Sequence, residues 1–135
     1  MKNSGEKKMA QAQDVNPNPI GLNGVDFIEY AGSDLKHFET LFQNYGFQQI
    51  SEIPGKKIKL FRQNDINFIL NGQEGTFAVA FAKQHGPSIC STGFRVKDAE
   101  FAFNETVRRG AKPYMGSNTE KGATHFQLFT ESEIL

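Results

Sequence analysis

The sequence has 135 residues with 15 basic and 15 acidic side chains, so one domain with a real core is expected and the cancelled charge excludes nucleic acid or an anionic membrane surface as an electrostatic partner. Its longest apolar runs, such as Ile66 to Leu70, are strand-sized and far short of the roughly 20 residues that span a bilayer, so no membrane association is expected. Cys90 is the only cysteine, which excludes an internal disulfide and a cysteine-based zinc site and fits a reducing cytoplasm.

Residues 1–20 read as a disordered polar arm. Met1 to Asn18 lacks the apolar stretch of a secretory signal, and Asn16-Pro17-Asn18-Pro19 biases the backbone toward extended conformations. A first βαβββ unit is expected over residues 21–72. Val25, Phe27, Ile28 and Tyr30 form a strand that closes at Ala31-Gly32. Ser33 or Asp34 caps a helix whose apolar positions are Leu35, Phe38, Leu41, Phe42 and Tyr45, and Gly46 stops it. Phe47, Ile50 and Ile53 mark a short strand ended by Pro54-Gly55. Lys57 to Arg62 and Ile66 to Leu70 alternate on either side of Asn64-Asp65, the pattern of a hairpin.

Residues 73–88 are expected to hold a linking helix, Thr76 to Gln84, and a His85-Gly86-Pro87 turn. A second unit over 89–135 follows: a strand from Ile89 to Val96, Asp98 as cap, a helix from Glu100 to Arg109, and Gly110 as its stop. Asp34 to Gly46 and Asp98 to Gly110 are displaced by the same 64 residues (98 − 34 and 110 − 46), which indicates duplication. The displacement sets Tyr30 on Phe94 and Phe27 on Ser91. The second copy diverges after about Gly116, with only Thr124 to Thr130 resembling a further strand. The expected class is therefore α+β, paired βαβββ units on a curved mixed sheet with the second unit incomplete and an unpaired sheet edge.

Paired units of this size resemble the vicinal oxygen chelate (glyoxalase-bleomycin resistance) superfamily. Gly24 to Tyr30, Arg62 to Asn71, His85-Gly86-Pro87-Ser88 and Gly93 to Ala99 are together similar to the amino-terminal domain of 4-hydroxyphenylpyruvate dioxygenase, in that family's order and spacing. The resemblance implies iron(II)- and oxygen-dependent conversion of 4-hydroxyphenylpyruvate to homogentisate in tyrosine catabolism. It also implies that two histidines and a glutamate in a carboxy-terminal domain hold the iron, so no catalytic, cofactor or metal residue is carried over to this sequence.

The residues agree with that expectation. Superfamily members commonly place a metal-binding histidine on the first strand of a unit, where this sequence has Phe27 and Ser91, neither of them a ligand for non-haem iron. His37 reads as a solvated helix residue, and His85 as a helix-end residue bonded to backbone. His125 could meet Glu29 and His85 in a triad only through folding, since no local motif pairs them. Cys90 reads as a buried, inert thiol. Gly110, Gly116 and Gly122 lack the spacing of a phosphate loop. Arg95, Lys97, Arg108 and Arg109 read as solvated charge.

The expected function is that of a truncated, non-catalytic scaffold half. It would pair with itself or with a full-length homologue through the open sheet edge. The alternative is a metal-free small-molecule module with Phe27, Phe68 and Phe94 lining a cup, although ordinary core is the simpler role for these rings. A metalloenzyme assembled across a dimer ranks last.

Overall fold

A computed structural model describes residues 16–113 and 128–129. The elements run β1 (Leu22–Ala31), α1 (Leu35–Asn44), β2 (Gln48–Glu52), β3 (Ile58–Gln63), β4 (Ile66–Asn71), α2 (Phe77–His85), β5 (Ser88–Val96), α3 (Ala99–Arg108), β6 (Lys112–Pro113) and β7 (Leu128–Phe129). Five strands form one sheet in the order β2-β3-β4-β1-β5, and β6 pairs with β7 separately. Within the large sheet β4 runs parallel to β1, and the other neighbours are antiparallel. The α+β class and the strand-helix-three-strand order of the first unit are thus as the alternation and caps indicate.

Local chemistry sets the boundaries. Asp34 Oδ1 accepts from the Lys36 and His37 amides at the start of α1, and Thr76 Oγ1 accepts from the Val79 amide at the start of α2. The β3–β4 hairpin turns on Asn64, whose φ of 51° is left-handed, a conformation asparagine tolerates. α2 continues one residue past the expected end, so His85 closes the helix and the turn falls on Gly86, where φ is 83°.

The α1 side of the sheet carries the main core. Phe38 and Phe42 descend from the helix onto Phe61 and Leu70, with Phe47, Tyr30, Leu35 and Phe68 around them. Phe42 lies at the centre, its ring meeting those of Tyr30, Phe38, Phe47, Phe61 and Phe68. Phe47 stacks on Phe68 with centroids 4.3 Å apart. Each buried ring contributes roughly 1.5–3 kcal/mol through desolvation, so this one cluster supplies much of the drive to fold. A smaller cluster of Ala31, Ala78, Ala82 and Cys90 seats α2 against β1 and β5.

The duplication extends to individual hydrogen bonds. At the end of α1 the Tyr45 amide donates to Leu41 and Phe42, Gly46 to Gln43, and Phe47 to Phe42. At the end of α3 the Arg109, Gly110 and Ala111 amides make the same bonds 64 residues later, to Glu105 and Thr106, Val107, and Thr106. Gly46 and Gly110 both turn through left-handed φ, 89° and 107°. β6 begins where the displacement places β2, and it pairs antiparallel with β7 as β2 does with β3. Among the described residues β5, α3 and β6 are the displaced counterparts of β1, α1 and β2, whereas β7 matches β3 only by its pairing, at a displacement of 67 (129 − 62), and no described strand matches β4. In the first unit β4 joins β3 to β1; among the described residues no such strand links β6 and β7 to the large sheet, and they form a separate two-stranded sheet. Of the expected strand Thr124 to Thr130 only Leu128–Phe129 is described. The arm up to residue 15, the polar run Gly116 to Lys121, Gly122 and His125 lie outside the described residues.

Candidate functional site

The face of the sheet away from α1 holds the polar groups nearest its centre. Strand register places Ser51, Leu60, Ile69, Glu29 and Ser91 in one row across all five strands. Glu29 is half-buried in that row and accepts two hydrogen bonds: Ser91 Oγ donates to Oε2 at 2.6 Å, and Asn71 Nδ2 donates to Oε1 at 2.8 Å. Asn71 is 6% exposed, and its own Oδ1 accepts from the Gln73 amide at 2.9 Å, so the amide is satisfied at both ends. Beside this group the Phe27 ring lies over Gly93. The pairs Glu29–Ser91 and Phe27–Gly93 exchange under the 64-residue displacement, which puts the local two-fold of the repeat at the Ile28–Thr92 pair. Further along the same face, Ser51, Ile53, Ile58, Leu60 and Ile69 border a shallow apolar depression of about 200 Å³.

This arrangement is rich in acceptors and poor in metal ligands. Phe27 and Ser91, the two first-strand positions, offer a hydrocarbon ring and a hydroxyl already donated to Glu29. His37 is on the exposed side of α1. His85 is also exposed; its Nδ1 lies 3.1 Å from the Phe81 carbonyl and its ring stacks on Phe81 at 4.2 Å, as expected of a helix-end residue. Among the described residues no three His, Cys, Asp or Glu side chains gather where they could hold a metal ion. A non-haem iron centre needs imidazole and carboxylate together, so the residues described here do not fit one. Cys90 is buried at 3% exposure, with Sγ 3.6 Å from the Glu29 carbonyl.

The three phenylalanines of the supposed cup do not come together. Phe68 registers with Ile28 on the α1 side and belongs to the aromatic core, whereas Phe27, one residue along β1, faces the opposite way. Phe94 follows Thr92 to the α1 side and is 60% exposed. Several of the charged groups are paired. Arg95 meets Asp26 across the β1–β5 seam, and Arg108 and Arg109 converge on Glu105, whose carboxyl their hydrogen bonds hold down to about 2. The Glu29–Asn71–Ser91 group escapes sequence reading because its members are far apart in the chain and none belongs to a local motif.

The order and pairing of these elements define a vicinal oxygen chelate fold. Methylmalonyl-CoA epimerase from Mycobacterium tuberculosis superposes with a TM-score of 0.60 at 18% identity over 78% of this chain and 77% of that one. A xylose isomerase-like TIM barrel/4-hydroxyphenylpyruvate dioxygenase fusion protein superposes with a TM-score of 0.75 at 28% identity, over 87% of this chain and 19% of that one. Residues 16–128 match the family described as Hydroxyphenylpyruvate dioxygenase, HPPD, N-terminal, and the chain belongs to that family. It is 48% identical to Protein MelA of Shewanella colwelliana over 96 residues, covering 71% of this chain and 28% of that protein. It is 40% identical to the 4-hydroxyphenylpyruvate dioxygenase of Pseudomonas sp. (strain P.J. 874), over 74% of this chain and 28% of the relative. A 3-dehydroshikimate dehydratase of Pseudomonas aeruginosa is 36% identical over 74% of this chain and 16% of its own length. The chain thus spans about 28% of the dioxygenases it matches.

Proposed function

We propose that this chain is the non-catalytic scaffold half of a 4-hydroxyphenylpyruvate dioxygenase architecture. In this reading the iron(II) and oxygen chemistry on 4-hydroxyphenylpyruvate, a step of tyrosine catabolism, belongs to other parts of such proteins. The observation that carries it is the chemistry at the two-fold: Phe27 and Ser91 stand at the first-strand positions, and both Glu29 oxygens already accept hydrogen bonds from protein groups. The same half matches relatives named for two different reactions, a dioxygenase and a dehydratase, which supports a shared structural part. Among the described residues no helix is long and apolar enough to cross a membrane, and with the lone cysteine this supports a cytoplasmic setting. The outer edge of β5, which carries no strand among the described residues, is where the scaffold would meet a second copy of itself or a full-length homologue.

The purified chain, incubated with iron(II) and 4-hydroxyphenylpyruvate, is expected to retain no stoichiometric iron after desalting and to consume no oxygen. Stoichiometric retention or turnover would overturn this reading.

The face away from α1 supports a second reading as a metal-free binding module. Because its centre is a carboxylate already bonded to two donors, the added ligand should itself be a donor, such as an ammonium or a phenol, and not an anion lying over Glu29. A thermal-shift series with tyramine and with simple keto acids separates these classes, since only a bound ligand raises the melting temperature.

A further inference from the structure

We propose that Asn23 is a self-modification site: in the folded chain the Gly24 backbone nitrogen attacks the Asn23 side-chain amide, and the succinimide that forms opens to aspartyl and β-aspartyl products, the second of which loosens the β1–β5 seam. The inference goes beyond the scaffold reading and does not depend on it.

The sequence contains two Asn-Gly pairs, and both follow leucine: Leu22-Asn23-Gly24 and Leu70-Asn71-Gly72. A glycine after asparagine has no side chain to obstruct the approach of its nitrogen to the asparagine Cγ. The preceding residue and the nucleophile are therefore the same at both pairs, and the fold decides which of them reacts.

Asn71 is held from several directions. Its Nδ2 donates to Glu29 Oε1 at 2.8 Å, and its Oδ1 accepts from the Gln73 amide at 2.9 Å. The nitrogen that would attack, Gly72 N, donates to the Lys57 carbonyl at 2.8 Å. Asn71 is buried, and the Leu35 side chain fills the space beside Gly72. Turning the Asn71 amide onto Gly72 N breaks these hydrogen bonds and opens the sheet around them.

Asn23 has no such restraint. It is exposed, and among the described residues no hydrogen bond engages its side chain. The β1–β5 register passes from Leu22 opposite Val96 to Val25 opposite Phe94, so Asn23 and Gly24 together oppose Arg95 alone in a bulge. Gly24 holds a left-handed φ of 90° there, with nothing within 4 Å of the place a side chain would occupy. β4 registers with β1 only from Ile28 onward, so this end of β1 has a described neighbour on one side only. A small local opening suffices to bring Gly24 N onto Asn23 Cγ.

In the reaction the Gly24 N–Cγ bond forms and the Cγ–Nδ2 bond breaks. The Gly24 amide proton, removed by hydroxide, is balanced by the proton that leaves with ammonia, and nothing is oxidised or reduced. Water then cleaves the imide. Opening at the side-chain carbonyl gives aspartate; opening at the main-chain carbonyl gives the β-aspartyl form, which routes the backbone through Cβ and Cγ and lengthens β1 opposite Arg95.

The test incubates the full 135-residue chain at mildly alkaline pH, folded and in urea, and follows both asparagines by peptide mass spectrometry with fragment-ion assignment. In the folded chain Asn23 is expected to convert at least about tenfold faster than Asn71, and in urea the two rates should converge. Equal rates in the folded chain, or a difference that persists undiminished in urea, would overturn the proposal. So would an Asn23 that reacts in urea and not in the folded chain. The β-aspartyl fraction, separated chromatographically, is expected to exchange its Phe94–Val96 amides several-fold faster than Asn23→Asp, which carries the aspartyl product on an unaltered backbone. Equal exchange in the two would overturn the loosening of the seam.

Discussion

Phe27 and Gly93 face each other across the β1–β5 seam, and the ring of the first occupies the space a side chain on the second would need. A methyl group at position 93 would fall inside the van der Waals surface of that ring. Gly93→Ala is therefore expected to cost about 1–3 kcal/mol as an overpacked contact. Adding Phe27→Ala should recover part of the loss, because the clash needs both groups. Urea denaturation of the two single variants and the double variant measures this coupling, and strict additivity would contradict it.

Glu29 and Asn71 make a different kind of demand. Glu29→Leu leaves the buried Asn71 amide without its acceptor and should cost about 1–3 kcal/mol. Glu29→Gln keeps the shape and one acceptor oxygen, so it should cost less than Glu29→Leu. Equal denaturation midpoints for wild type and Glu29→Leu would show that the hydrogen bond contributes nothing net.

The two helix caps are chemically equivalent and should respond differently. Asp34→Ala and Asp98→Ala each remove a carboxylate that accepts amide hydrogen bonds at a helix start, worth about 1 kcal/mol. α1 is tied into the aromatic core, so loss of Asp34 should lower global stability. α3 buries only Ala102, so loss of Asp98 should appear mainly as faster amide exchange within α3. Exchange that rises uniformly in both variants would contradict the difference.

Glu105 provides a pH signature. Hydrogen bonds from Arg108 and Arg109 lower its carboxyl from the ordinary 4.5 to about 2. The folded state thus binds this proton less readily than the unfolded state. The stabilisation is present above pH 4.5 and is lost as pH falls toward 2. A side-chain NMR titration should place the Glu105 midpoint well below those of the other glutamates, and Glu105→Gln should remove its share of the acid-side slope.

Much of the fold is legible along the chain because its determinants are local. Asp98 as a cap, Gly46 and Gly110 as stops, and the alternation about Asn64-Asp65 are short-range patterns, and each appears where those residues place it; of the two residues offered for the first cap, Ser33 and Asp34, the structure uses Asp34. The repeat is equally legible, since equal spacing between like signals needs no contact information. The central group of the candidate site is not. Glu29, Asn71 and Ser91 meet only after β1 pairs with β4 on one side and β5 on the other, and nothing local distinguishes Glu29 from a solvated glutamate.

By itself the sequence determined the strand and helix order, the caps, the duplication, and the absence of imidazole at Phe27 and Ser91, because each is a property of residue type and spacing. Tertiary structure alone decided which side of the sheet each aromatic ring occupies, sending Phe68 into the core and Phe27 onto Gly93. It also decided that Phe94 lacks the enclosure its counterpart Tyr30 enjoys. The physical reason is that alternation specifies two faces without saying what will cover either one; cover comes from strands and helices distant in the chain.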